Sequence, residues 1–221
     1  MAIRIKKGDS ANLTLEKFSV GLGWHVNEDA TKIHDFDLDV SAFMVNASDK
    51  IPTDDYLVFY NSEKRLKAEK DGKLTAPVEI VPYTLWKSND DMRAESRPTD
   101  PNMAVIGSID NEKGDDNGDA ETLDIDLRKV PADINRIIIC VSIYDAVARG
   151  GQNFSQVSNA YIRIYDPDTK KDEVIYDLTE DFATSVSVEF VELRRTGSSW
   201  EVKALGVGHK GEFDELVNKY A

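Results

Sequence analysis

With 221 residues, 41% of them hydrophobic and 31% charged, the chain can fill one sizeable core and is too apolar to stay disordered. A formal net charge of −14 excludes the basic footprint that direct nucleic-acid binding requires, and disfavours adhesion to an anionic membrane by charge alone. The single cysteine, Cys140, rules out an intramolecular disulfide and any cysteine-built zinc or dithiol centre.

The first residues, Met1 to Lys7, lack the apolar run of a secretory leader, and no later stretch has the length of a membrane span. A cytoplasmic location is therefore expected, with a membrane-peripheral position as the alternative. Short apolar or alternating runs bounded by Asp, Gly, Pro or Asn predict strands at 56–60, 122–127, 136–144, 161–165, 173–178, 185–193 and 200–205. Cys140 lies within one of these runs and reads as a small buried hydrophobe. Between 62 and 108 the pattern changes: charge-rich over 63–71, a strand at 78–81, then polar and turn-like over 88–102. A short helix is expected near 154–157. Phe213, Leu216, Val217 and Tyr220 fall on one helical stripe and predict a C-terminal helix packed on the body. The expected fold is all-β, a sandwich of two mainly antiparallel sheets with short helices, forming one domain over 1–221.

Two acidic stretches stand out. In Asp35-Phe36-Asp37-Leu38-Asp39-Val40, alternation on a strand places three carboxylates on one face and three apolar side chains on the other. Strands disfavour Asp, and like charges so close repel, so the row needs relief from solvent or from a cation. The second stretch runs from Asp110 to Glu121 and is punctuated by Gly114 and Gly118. Oxygen donors on a glycine-rich loop suit Ca²⁺, although a solvated acidic loop has the same composition. The loop is not an EF-hand, because its glycine stands fifth rather than sixth and its flanks read as strands. His25, His34 and His209 form no ligand spacing.

These landmarks, taken in order, resemble the TerD family of tellurium-resistance and bacterial stress proteins. The resemblance rests on Lys7-Gly8 with Asn12 to Leu15, Gly21-Leu22-Gly23-Trp24, Phe36-Asp37-Leu38-Asp39, Phe59-Tyr60-Asn61, the 110–121 loop, and Tyr144-Asp145 with Asn153-Phe154, Gln156-Val157 and Asn159-Ala160. It implies a β-sandwich with two neighbouring Ca²⁺ ions at one end. The ligands it implies are Asp37, Asp39, Asn61, Asp110, Asn111, Gly114 through its carbonyl, Asp119 and Glu121. Asp35, Asp115 and Asp116 are weaker candidates. Three positions depart from the family loop: Ile109 and Asp116 stand where it has Gly, and Ala120 where it has Asp. These departures leave a single ion, or a scaffold with partly lost metal sites, as alternatives. The region at about 62–108 exceeds the usual connection and is expected to be a subgroup insertion.

The function expected from the resemblance is a non-catalytic, calcium-dependent binding or scaffold module in stress response. It would have protein partners in a stress-response complex and no small-molecule substrate. The competing reading from another class is a metal-dependent phosphoester hydrolase, since clustered aspartates can hold two metals for in-line displacement. Against it, the sequence shows no nucleophile–base pair and no phosphate-cradling glycine loop at a helix start.

Overall fold

The computed structural model describes residues 2–26, 36–110, 118–177, 182 and 184–221. In chain order its elements are β1 (Ile3–Ile5), β2 (Ser10–Asn12), β3 (Lys17–Val26), β4 (Leu38–Val45), β5 (Leu57–Val58), β6 (Lys64–Lys67) and β7 (Ile80–Pro82). There follow α1 (Asn89–Glu95), β8 (Ser96–Pro98), β9 (Val105–Gly107), β10 (Glu121–Asp126), β11 (Arg136–Ile143) and β12 (Val157–Tyr165). Last come β13 (Asp172–Asp177), β14 (Ser187–Thr196), β15 (Ser199–His209) and α2 (Phe213–Tyr220).

Two six-stranded sheets form the sandwich, in the orders β1-β13-β12-β3-β10-β9 and β2-β15-β14-β11-β4-β5. Every pairing in them is antiparallel except β1 with β13. The expected all-β sandwich is the observed fold. Strand β10 shows the period-2 rule: Glu121, Leu123 and Ile125 are buried, while Thr122, Asp124 and Asp126 are half-buried. Strands β4 and β11 do not alternate, because both of their faces are covered. Leu38, Val40, Ala42, Ile137, Ile139 and Val141 face the sandwich core, which also takes Trp24 and Trp200. Phe43, Val45, Ile138 and Cys140 lie in a second cluster under α2 with Leu216 and Tyr220.

The α2 stripe predicted from sequence docks through its rings. Phe43 lies 5.1 Å from Tyr220 and 6.0 Å from Phe213, and Phe213 stacks on Phe59 at 5.2 Å. Each such side chain fully buried contributes about 1.5–3 kcal/mol, more than an isolated eight-residue helix gains from its own hydrogen bonds.

A third sheet, β7-β6-β8, lies within the 62–108 region. Its centre is Arg65, fully buried inside the stretch that reads as a charged run. Its guanidinium donates to the carbonyls of Tyr60 at 2.8 Å and Ser62 at 3.2 Å, and to Ser96 Oγ at 2.5 Å. Burial draws its pKa down to about 10, with partial compensation from Asp110. The turn-like 88–102 stretch holds α1 and β8. Helix α1 is only two turns long with Met92 as its one buried residue, too short for periodicity to register, but Ser88 caps it by accepting from the Asp91 N–H at 3.1 Å. The helix expected near 154–157 is a single 3-10 turn, Phe154–Gln156, closed by an Asn153–Gln156 capping box. At 56–60 only Leu57 and Val58 are strand. The chain then turns, as Ser62 Oγ accepts from the Phe59 N–H and donates to the Leu57 carbonyl. Among the described residues no helix is long and apolar enough to cross a membrane.

Candidate metal centre

Three chain segments meet at one end of the sandwich. Asp39 comes from β4, Asp110 from the chain after β9, and Glu121 from the start of β10. One carboxylate oxygen from each lies within 4.8 Å of the other two. Asp39 and Glu121 are 4% and 5% exposed, and Asp37, just before β4, is 5% exposed. Local topology explains why a glutamate reaches inward here. Strand β5 covers β4 only at Ala42 and Phe43, so the Val40 N–H has no strand partner on that side. It donates instead to Glu121 Oε2 at 2.5 Å, a charge-assisted bond that fixes the carboxylate.

The electrostatics are those of crowded, dry anions. Burial raises the Asp39 carboxyl well above its usual range, and Asp37 and Asp110 push it further, against the opposing pull of Arg93 and Arg149. Burial also raises Glu121 well above the usual range. Asp39 adds to that, and the Val40 N–H offsets part of it. The donors are all hard oxygens, so the group could hold a metal ion.

Two arginines flank the group. Arg93, on α1, has its Nε 3.8 Å from Asp110 Oδ2 and its guanidinium carbon 4.8 Å from the centre of the Tyr60 ring. Arg149 has Nη1 3.6 Å from Asp37 Oδ2 and lies 4.9 Å from the Tyr144 ring centre. Tyr60 and Tyr144 meet edge to face at 5.7 Å. Burial first, then the Asp39 charge, pushes the Tyr60 hydroxyl up to about 12, so the phenol stays neutral. A cleft of about 240 Å³ runs between these tyrosines and the chain leading into α2, giving access to Asp39.

Asp119 lies elsewhere. Its carboxylate is held by Arg163, with Nη2 donating to Oδ2 at 2.8 Å and Nε to Oδ1 at 2.9 Å, and Tyr161 Oη donates to it at 3.2 Å. Arg163 also bonds Asp172 at 2.9 Å. The glycines of the Gly-Leu-Gly-Trp signature make room for this network. A Cβ at Gly21 would stand 2.2 Å from Asp119 Oδ2, and one at Gly23 would stand 2.4 Å from the Tyr161 ring. Ala120, where the family loop has Asp, is buried in the apolar core. Asn61 is exposed in the turn after β5. Asp35, Asn111, Gly114, Asp115 and Asp116 lie outside the described residues. Sequence reasoning missed Arg93, Arg149 and Arg163, since lone arginines carry no motif. Tyr60 and Tyr144 did stand inside matched motifs, and that was the one available signal.

The TerD domain profile matches residues 1–73 and 89–220, and its interruption falls inside the 62–108 region. General stress protein 16U of Bacillus subtilis (strain 168) is 33% identical over 225 residues, covering 100% of this chain and 97% of that one. Tellurium resistance protein TerD of Alcaligenes sp is also 33% identical over 225 residues, with the same coverage. In fold, the crystal structure of a homologue of telluride resistance protein (TerD) from Streptomyces coelicolor A3(2) superposes with a TM-score of 0.58 at 16% identity, over 92% of this chain and 95% of that one. The match runs from the first strands through α2, across both sheets and all three segments that meet at the acidic group, and the chain belongs to the TerD domain family.

Proposed function

We propose that the protein is a calcium-binding, non-catalytic module of the tellurium-resistance and general-stress type, acting in the cytoplasm. The observation that carries this is the meeting within 4.8 Å of the buried Asp39 and Glu121 and the half-buried Asp110, from three segments, with the buried Asp37 beside them. Asp39 and Glu121 are held where neither can ionise comfortably without a compensating cation. A divalent ion with a flexible shell of oxygen ligands fits such donors better than Mg²⁺, which dehydrates reluctantly and demands strict octahedral geometry. The residues named would hold the ion, and bound calcium would supply charge neutralisation and rigidity. By linkage, binding then stabilises the end of the sandwich where β4, the start of β10 and Asp110 after β9 meet. The ordered surface would dock protein partners of a stress-response complex. Resistance and stress names among full-length relatives support this setting.

Calorimetric titration with Ca²⁺ and separately with Mg²⁺, run beside a turnover screen on generic phosphoesters, tests the reading. Saturable Ca²⁺ binding without turnover is the expected result. Metal-dependent hydrolysis would favour the hydrolase instead, and no Ca²⁺ binding would overturn the module.

A further inference from the structure

The acidic group carries its own counter-cations, and their arrangement is regular. Arg93 approaches from α1 and Arg149 from the chain after β11, so two separate elements supply them. Each guanidinium lies over one member of the Tyr60–Tyr144 pair, and each has a nitrogen within 4.0 Å of a cluster carboxylate, Asp110 or Asp37. Stacking on an aromatic face leaves the planar edge of a guanidinium for the anion and restrains it without direct bidentate pairing. Arg93 is further positioned by the buried Arg65, whose bonds to Ser96 and to the Tyr60 carbonyl tie the end of α1 to the ring beneath Arg93. Four ionised carboxylates, Asp37, Asp39, Asp110 and Glu121, would carry four negative charges, and the two guanidiniums offset two of them.

Resting on the calcium reading, we propose that Arg93 and Arg149 are the affinity-setting residues of the centre. They are internal cations that hold the ion-free carboxylates together and oppose a divalent ion that enters. The charge makes the site tolerable when empty and weakens its hold when full. The region that brings Arg93 to the site thereby tunes the metal affinity of the sandwich end without contributing a ligand.

Calcium titration of wild type, Arg93→Gln, Arg93→Lys and Arg149→Gln by calorimetry tests this. Removing one full charge beside the ion should tighten Ca²⁺ binding about tenfold or more in Arg93→Gln, and Arg149→Gln should act in the same direction from the opposite side. Arg93→Lys keeps the charge and should stay within about threefold of wild type. Thermal melts provide a second readout: Arg93→Gln should melt lower than wild type in chelator and gain more from calcium. Binding that appears only in the Gln variants would also support the proposal. Calcium binding to wild type with unchanged or weaker affinity in both Gln variants would overturn it and leave the calcium reading intact. No binding in any of the four proteins would overturn both.

Discussion

Substituting Glu121 with Gln should stabilise the metal-free protein while removing its response to calcium. The amide keeps a carbonyl oxygen for the Val40 N–H, which Glu121 accepts at 2.5 Å, and its NH₂ can donate to the neighbouring carboxylates. What disappears is one buried charge within 4.8 Å of two others, Asp39 and Asp110. At an effective dielectric constant of about 20, one such repulsion is worth roughly 3.5 kcal/mol. Part of that is already relieved, because the raised values of Asp39 and Glu121 favour their protonated forms and Arg93 and Arg149 attract Asp39. The net gain for the variant in chelator should be about 1–3 kcal/mol, or roughly 2–12 °C in Tm for a domain of this size. Wild type should gain about 2.7 kcal/mol from calcium at one hundred times its Kd, and the variant should gain much less. Differential scanning calorimetry of both proteins in chelator and in excess calcium reads all four values. A variant that melts below wild type in chelator, or that gains from calcium as wild type does, would refute the crowding argument.

Asp119→Asn should shift the chelator Tm the opposite way, downward by several degrees, because that carboxylate is paired with Arg163 rather than crowded. Thermal melts of the two variants side by side show whether the signs differ. Glu189 ties α2 to β14 by accepting from His209 Nε2 at 2.7 Å, Lys219 Nζ at 2.5 Å and Tyr220 Oη at 2.6 Å, so Glu189→Gln should cost about 1–3 kcal/mol by urea denaturation. Burial alone would raise the Glu189 carboxyl, but the bonds from Lys219, Tyr220 and His209 hold it below its usual value. Its contribution is present above the ordinary glutamate range and fades as pH falls through the lowered value, so the Glu189→Gln deficit should shrink in acid. Asp39 and Glu121 run the other way. Their folded-state values are raised, so in chelator the folded protein binds more protons than the unfolded chain, and stability is lost as pH rises through those values. The Tm advantage of Glu121→Gln in chelator should therefore be largest at neutral pH and narrow on acidification, as a pH series of melts would show.

Much of this was legible from sequence because it rests on period and parity. The alternation read at 122–127 and the stripe of Phe213, Leu216, Val217 and Tyr220 are local signals, and the structure realises both, with the strand one residue earlier at Glu121–Asp126 and Leu127 in a 3-10 turn. The pairing of the two acidic stretches was also legible, since each is awkward alone. What escaped was set by contacts between distant segments. Arg65 reads as one charge among many, and only the convergence of the Tyr60 and Ser62 carbonyls with Ser96 makes it a buried anchor. Phe59 and Tyr60 look like strand residues by propensity, yet the Ser62 side chain bends the backbone, and their rings serve Phe213 and Tyr144 instead. Arg93 and Arg149 are separated by 56 positions, and nothing local marks either as belonging to the acidic group.

Asp119 and Glu121 illustrate how one short stretch divides anions between two kinds of neutralisation. Glu121 pairs opposite Leu22 in β3, and its side chain lies on the buried side of β10 with Leu123 and Ile125. There it meets Asp39 and Asp110 at the end of the core. Asp119 lies against Gly21, in a hollow that any side chain at position 21 would close, and there it meets Arg163. The chain thus supplies a full bidentate partner for one carboxylate. For Glu121 the described residues supply the Val40 N–H, while Arg93 and Arg149 approach Asp110 and Asp37 instead. A carboxylate left crowded in this way costs stability unless a proton or a cation neutralises it, whereas Asp119, two positions earlier and outside β10, is neutralised by Arg163 in the space left at Gly21.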